Sequence, residues 1–163
     1  MTTTHYSFEF GGCNAGYYVI EEEIGRIAMK AVFRMEEEVF ENVFELRLQE
    51  GQLTHFRANE GPWVDMAQFP ADHYPTSAYP LLLRGLRDQR TYVAIHEGDR
   101  TPIGQTVLTR DGDIVTETRH GNTVRIFTLD GDAVESIDWG GPVSHRRPTL
   151  VEAIAGSTLP LPS

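Results

Sequence analysis

The chain has 163 residues, 40% of them apolar and 23% charged, enough to bury one core without help from disulfides or metals. Its formal net charge is −10, with acidic runs at Glu21-Glu22-Glu23 and Glu36-Glu37-Glu38 and arginine clusters only at Arg84-Arg87-Arg90 and Arg146-Arg147. A phosphate-backbone binder needs a basic stripe, so nucleic acid is not an expected partner.

The period of the apolar residues is two along most of the chain. Tyr6, Phe8 and Phe10 alternate with Ser7 and Glu9 until Gly11-Gly12 breaks the run. Tyr17 to Glu23 gives a second strand. Ile27, Met29, Ala31, Phe33 and Met35 alternate with Arg26, Lys30 and Arg34, and Phe44, Leu46 and Leu48 with Glu45 and Arg47. After a turn at Glu50-Gly51, the stretch Leu53 to Ala58 returns. Consecutive amphipathic strands with one wet face predict an antiparallel meander.

From Asn59 to Arg90 the alternation fails, and Pro62, Pro70, Pro75 and Pro80 exclude a central strand. The spacing predicts a short helix within Ser77 to Leu86, with Ser77 as N-cap and Pro80 in its first turn. Long structured connections are often functional. This one carries Trp63, Phe69, Tyr74 and Tyr79, with Arg84 nearby. Such a segment either walls an apolar pocket or closes the open end of the core. The first alternative makes these five residues the candidate ligand site, with the rings packed inward beside the largest apolar pocket. Arg84 would then meet an anionic head group.

Period two resumes from Thr91 to Trp139, where the triplet Asp-Gly-Asp occurs at 111–113 and again at 130–132. Asp-Gly between alternating runs is a strong hairpin signal, because type I′ turns need positive φ at both central residues. Neither triplet continues into the further oxygens and position-twelve glutamate of a calcium loop. Two-residue loops at Asp111-Gly112, His120-Gly121 and Asp130-Gly131 place Leu108, Val115, Val124, Ile126, Ile137 and Trp139 on one face, the candidate core. Val107, Ile114, Phe127 and Val134 then share the other face with Thr116, Thr118, Arg125, Ser136 and Asp138. That second face is half apolar and calls for a helix, a partner chain or a ligand to cover it. Thr149 to Ala155 predicts a helix with a capping box, Thr149 and Glu152, ended by Gly156. Residues 1–156 read as a single β-rich domain and 157–163 as an extended tail. The expected class is mainly β: an antiparallel meander curved into a half-barrel or open barrel, with one or two short helices.

Little in the chain announces chemistry. His5, His55, His73, His96, His120 and His145 show neither HExxH nor HxH spacing, so no metal site is expected. Cys13 is the only cysteine, which excludes an intrachain disulfide. Ser144 and His145 are adjacent, so on a strand they point apart and cannot act as nucleophile and base. No phosphate-loop glycine pattern occurs, and no cofactor is expected. Glu117 and Glu135 fall on the predicted core face, where carboxylates can do acid–base work, though sheet ends reached by water are the simpler setting. No apolar run approaches a membrane span, and MTTTHYSFEF has neither the basic nor the apolar region of a leader, so a cytoplasmic location is expected.

Three segments, FEFGGCNAGYY (8–18), NTVRIFTLDGDAVESIDW (122–139) and RRPTLVEAIA (146–155), resemble the first strand and glycine turn, the late hairpin and the closing helix of bacterial β half-barrel domains. That group includes lipoprotein-carrier-like domains and several families of unknown function. The resemblance implies a curved sheet wrapped around a helix and holding hydrophobic material. No catalytic residue carries over. The expected function is therefore non-catalytic binding of an apolar or amphipathic, lipid-like small molecule. The alternatives are a small hydrolase- or isomerase-like enzyme using a carboxylate or histidine in the same cavity, and a dimeric assembly module.

Overall fold

The computed structural model describes residues 1–159; the end of the predicted tail, residues 160–163, lies outside the described residues. Five strands follow one another as hairpins: β1 (Thr2–Phe10), β2 (Cys13–Glu23), β3 (Arg26–Met35), β4 (Glu38–Gln49) and β5 (Gln52–Ala58). A short β6 (Val64–Asp65) continues outward on β5. The chain then crosses to the opposite edge, where β7 (His73–Pro75) pairs in parallel with β8 (Gln89–His96). From there β9 (Thr101–Asp111), β10 (Ile114–Arg119), β11 (Asn122–Asp130), β12 (Ala133–Asp138) and β13 (Val143–Arg147) return towards the start. β13 pairs with β1, so the two runs of hairpins meet in the middle of one open sheet. The order is β6-β5-β4-β3-β2-β1-β13-β12-β11-β10-β9-β8-β7 among the described residues, and the ends do not join. The protein is thus mainly β, antiparallel but for one pair, and not a closed barrel.

The sheet curls around its own crossing segment. Between β7 and β8 the chain makes a 3₁₀ turn (Thr76–Ala78) and the helix α1 (Tyr79–Leu83). Ala78, Tyr79, Leu82, Leu83 and Leu86 are buried in the main core with Tyr6 and Tyr18, Ile27 and Leu46, Phe56, Leu108, Phe127 and Ile137 from both halves of the sheet. Each large apolar side chain so buried stabilises by roughly 1.5–3 kcal/mol, which anchors the crossing in the trough. The predicted cap differs. Ala78 occupies the N-cap position without a side-chain bond. Glu97, just past the end of β8, does the work instead, accepting from Thr76 Oγ1 and from the Ser77 backbone N–H, both at 2.7 Å. Ser77 lies in the 3₁₀ turn before the helix.

A smaller cluster lies on the outer face, where Tyr17 and Val32 pack against Ala153, Ile154 and Leu159. It is covered by α2 (Leu150–Ala153), capped as predicted by Thr149, whose side chain accepts from the Glu152 N–H. Asn14 ties this helix down by donating from Nδ2 to the carbonyls of Ala153 (2.7 Å) and Ala155 (2.9 Å).

The predicted register of β11 is overturned. Loops occur at Gly112-Asp113, His120-Gly121 and Gly131-Asp132, since Asp111 pairs with Ile114, Arg119 with Asn122 and Asp130 with Ala133. His120 and Gly121 both have positive φ, the type I′ pattern. In the two acidic turns glycine alone takes the positive φ, at 60° and 64°, in the first loop position, the type II′ pattern. The decisive change is a bulge: Thr118 pairs with Thr123, but Glu117 pairs with Arg125. The extra residue, Val124, inverts every side chain beyond it. Arg125, Phe127 and Leu129 therefore enter the core, while Val124 and Ile126 turn outward. A second bulge at Glu135 keeps Ile137 on the core side, opposite Phe127.

Candidate functional site

A cavity of about 320 Å³ opens beside the crossing segment. Its wall is Phe8 from β1, Tyr18 from β2, Met29, Ala31 and Phe33 from β3, Asn42 and Phe44 from β4, and Trp139 and Pro142 near the β12–β13 turn. Thr76, Ser77 and Tyr79 from the crossing and Arg125 from β11 complete it. Phe33 stacks on Phe8 at 4.6 Å and on Phe40 at 5.6 Å, and Phe40 is exposed, so this side of the wall runs out to solvent.

One corner of the wall is polar. The Arg125 side chain, 8% exposed as a residue, grips Glu117 with two hydrogen bonds: Nε to Oε1 at 3.0 Å and Nη2 to Oε2 at 2.9 Å. Nη2 also donates to the Thr76 carbonyl at 2.9 Å, locking the strand to the crossing turn. The guanidinium lies 5.0 Å from the Tyr79 ring centroid, 5.3 Å from Phe127 and 5.9 Å from Trp139, within cation–π reach of three aromatics. Burial lowers the Arg125 pKa, but the charge and hydrogen bonds of Glu117, joined by Tyr92 and Tyr79, together outweigh it and hold the guanidinium above its ordinary value. Glu117 itself, 1% exposed, also accepts from the Tyr92 hydroxyl at 2.9 Å. Ser77 is 5% exposed, and its hydroxyl has no hydrogen-bond partner among the described residues. Tyr18 and Tyr79 hydrogen-bond to each other through their hydroxyls, and burial pushes both phenols well above their ordinary pKa of 10.0.

The candidate residues of the crossing do not converge on this cavity. Tyr79 lines it. Phe69 and Tyr74 pack inward at the core margin, on Phe56 and Tyr92. Trp63 lies over the outer face, under the guanidinium groups of Arg47 (3.8 Å) and Arg57 (4.5 Å), which stand on the same side as Glu45. Arg84 is exposed, pairs with Glu22 at 3.2 Å and borders a separate, more charged groove with Arg146. Of the two carboxylates singled out in the sequence, only Glu117 is buried; Glu135 sits on its bulge and pairs with Arg146 at 2.7 Å. None of the six histidines lines the cavity. No cluster of three or more potential metal ligands occurs among the described residues, nor does any helix long and apolar enough to cross a membrane. The sequence pattern puts Arg125 on the half-apolar second face and Ser77 at an N-cap, and singles out neither as a site residue. The usable signal was the pair Glu117 and Arg125 straddling the His120-Gly121 turn, which become neighbours only once a bulge is counted.

No protein-family model matches the chain, and no characterised protein aligns with it. Among solved structures, a DUF1089 family protein from Pseudomonas aeruginosa is similar over 77% of this chain and 89% of its own, at 15% sequence identity and a TM-score of 0.48. So distant a likeness says nothing about activity.

Proposed function

We propose that the protein is a non-catalytic binding domain whose curved sheet holds an apolar or amphipathic small molecule beside the crossing segment. The observation that carries this reading is a cavity of about 320 Å³ with a mostly aromatic and aliphatic wall, interrupted by Asn42 and by a polar corner at Thr76, Ser77 and Arg125. Ligand pockets have this make-up: an apolar lining with a few placed polar groups, in a volume of roughly 300–1,000 Å³. The hydrolase or isomerase alternative has less support. The wall holds no carboxylate and no histidine, and its titratable side chains, Tyr18, Tyr79 and Arg125, all have raised pKa values that oppose proton loss near neutrality. The dimer alternative draws on the outer face of β9 to β11, where Ile114 is 41% exposed beside half-buried Val107, Val124 and Ile126. A single mass in light scattering, monomer or dimer, decides that alternative.

The binding reading is tested by native mass spectrometry against a panel of medium-chain amphipaths. Retention of one ligand per chain is the expected result. Ala31→Phe, which fills the cavity from β3, should abolish retention while leaving the unfolding transition cooperative. A protein that retains none of the panel, or whose retention ignores Ala31→Phe, sinks the proposal.

A further inference from the structure

The polar corner is more selective than its arginine suggests. A guanidinium has five N–H donors. Arg125 commits Nε and Nη2 to Glu117 and Thr76, whereas Nη1 has no acceptor among the described residues and is not among the polar atoms sealed from open space. Arg125 lines the cavity, and Nη1 is the guanidinium nitrogen taken by neither Glu117 nor Thr76. The neighbouring Ser77 hydroxyl is likewise without a partner.

The charge at this corner is already complete. Arg119 Nη2 lies 3.8 Å from Glu117 Oε1, on a second cation beside the same carboxylate. Glu97, 7% exposed, sits on the far side of the Thr76–Ser77 turn whose carbonyl Arg125 holds. Two arginines and two buried carboxylates thus lie around this corner, with both arginines on Glu117, and with Glu97 held by the hydroxyl and N–H of the turn. A ligand carboxylate or phosphate would bring a third negative charge into a desolvated site with no cation to spare, which is costly. A bare hydrocarbon would leave the Nη1 donors facing nothing, which is also costly.

We infer that the polar group of the ligand is an uncharged oxygen acceptor, such as an amide, ester or hydroxyl oxygen, seated on Arg125 Nη1. This rests on the binding reading above. It places the specificity of the site in Arg125 and replaces the anionic head group expected at Arg84.

The test uses four ligands of one medium chain length: the primary amide, the methyl ester, the carboxylate and the parent alkane. Each competes with a neutral solvatochromic dye for the intact protein. The amide and ester should bind about one to two orders of magnitude more tightly than the alkane, the span set by leaving a buried donor unpaired. They should also exceed the carboxylate at neutral pH. A carboxylate that binds as well as the amide, or an alkane that does, overturns the inference and leaves the binding reading standing. Binding of none of the four overturns both. The paired variant Arg125→Met with Glu117→Gln should bring amide and alkane to near-equal affinity, and persistent discrimination in a folded double variant would place the receptor elsewhere. If that variant does not fold, the ligand series on the unaltered protein decides alone.

Discussion

At the scale of single residues the Arg125–Glu117 pair carries the clearest energetic stake. Both side chains are buried, so neither charge is solvated; each relies chiefly on the other, Arg119 being a second, more distant cation 3.8 Å from Glu117. Removing one partner strands the other, a loss of about 3–5 kcal/mol, whereas removing both charges is often near neutral. Arg125→Met alone should therefore lower stability by about that amount in urea unfolding, and adding Glu117→Gln should restore most of it while keeping an acceptor for the Tyr92 hydroxyl. A double variant no more stable than the single one would mean that the pair is not coupled in this way. Hydropathy could not expose this pair. Val124 and Ile126 on one side and Phe127 and Leu129 on the other make both faces of β11 apolar, so nothing in the pattern says which points inward. An arginine on such a strand reads as solvated. What decides its direction is one extra backbone residue at Val124, and a bulge is a matter of pairing count, with no side-chain preference to mark it.

At the scale of elements, the hairpins of β1 to β5 were readable because their apolar residues alternate, even where Tyr17 and Val32 bury part of the outer face under the second helix, and α2 because its cap is chemical: Thr149 bonds the Glu152 N–H. β13 was harder to read, since beyond Val143 and Ser144 its residues are His145, Arg146 and Arg147, with no apolar alternation. Strand β2 packs against β3 with no room at Gly16, where a Cβ would fall 1.9 Å from the Val32 carbonyl oxygen and 2.7 Å from the Phe33 Cα. These are backbone atoms and cannot swing aside. Gly16→Ala should cost about 1–3 kcal/mol or more by forcing the strands apart, read as a lower unfolding midpoint; an unchanged midpoint would refute the close approach. Asn14→Ala should act more locally. It removes both bonds that hold the end of α2, so hydrogen exchange should speed up at Ala153 to Ser157 with little change in β8 to β11.

At the scale of the whole molecule, four tyrosines of the main core set an alkaline limit. Burial, the largest cause in each case, raises Tyr6 to about 12 and pushes Tyr18, Tyr79 and Tyr92 upward from 10.0 as well. The folded state therefore holds these protons where the unfolded chain releases them. The resulting stability is fully present below pH 10 and is lost as pH rises through 10 towards 12 and beyond. These phenols should ionise together with unfolding, seen as tyrosinate absorbance rising in step with loss of circular dichroism; ionisation well before unfolding would contradict their burial. The join between β1 and β13 has a further consequence, for synthesis. The second strand of the protein's central seam is made after every other strand of the sheet, and until it arrives β1 has a bare edge and the trough is held from one side only. A ribosome adding about 5–20 residues per second therefore keeps the nascent sheet unseamed for seconds. During that interval an open strand edge, and the row of rings beginning at Phe8, are accessible to chaperones or to another copy of the same unfinished chain.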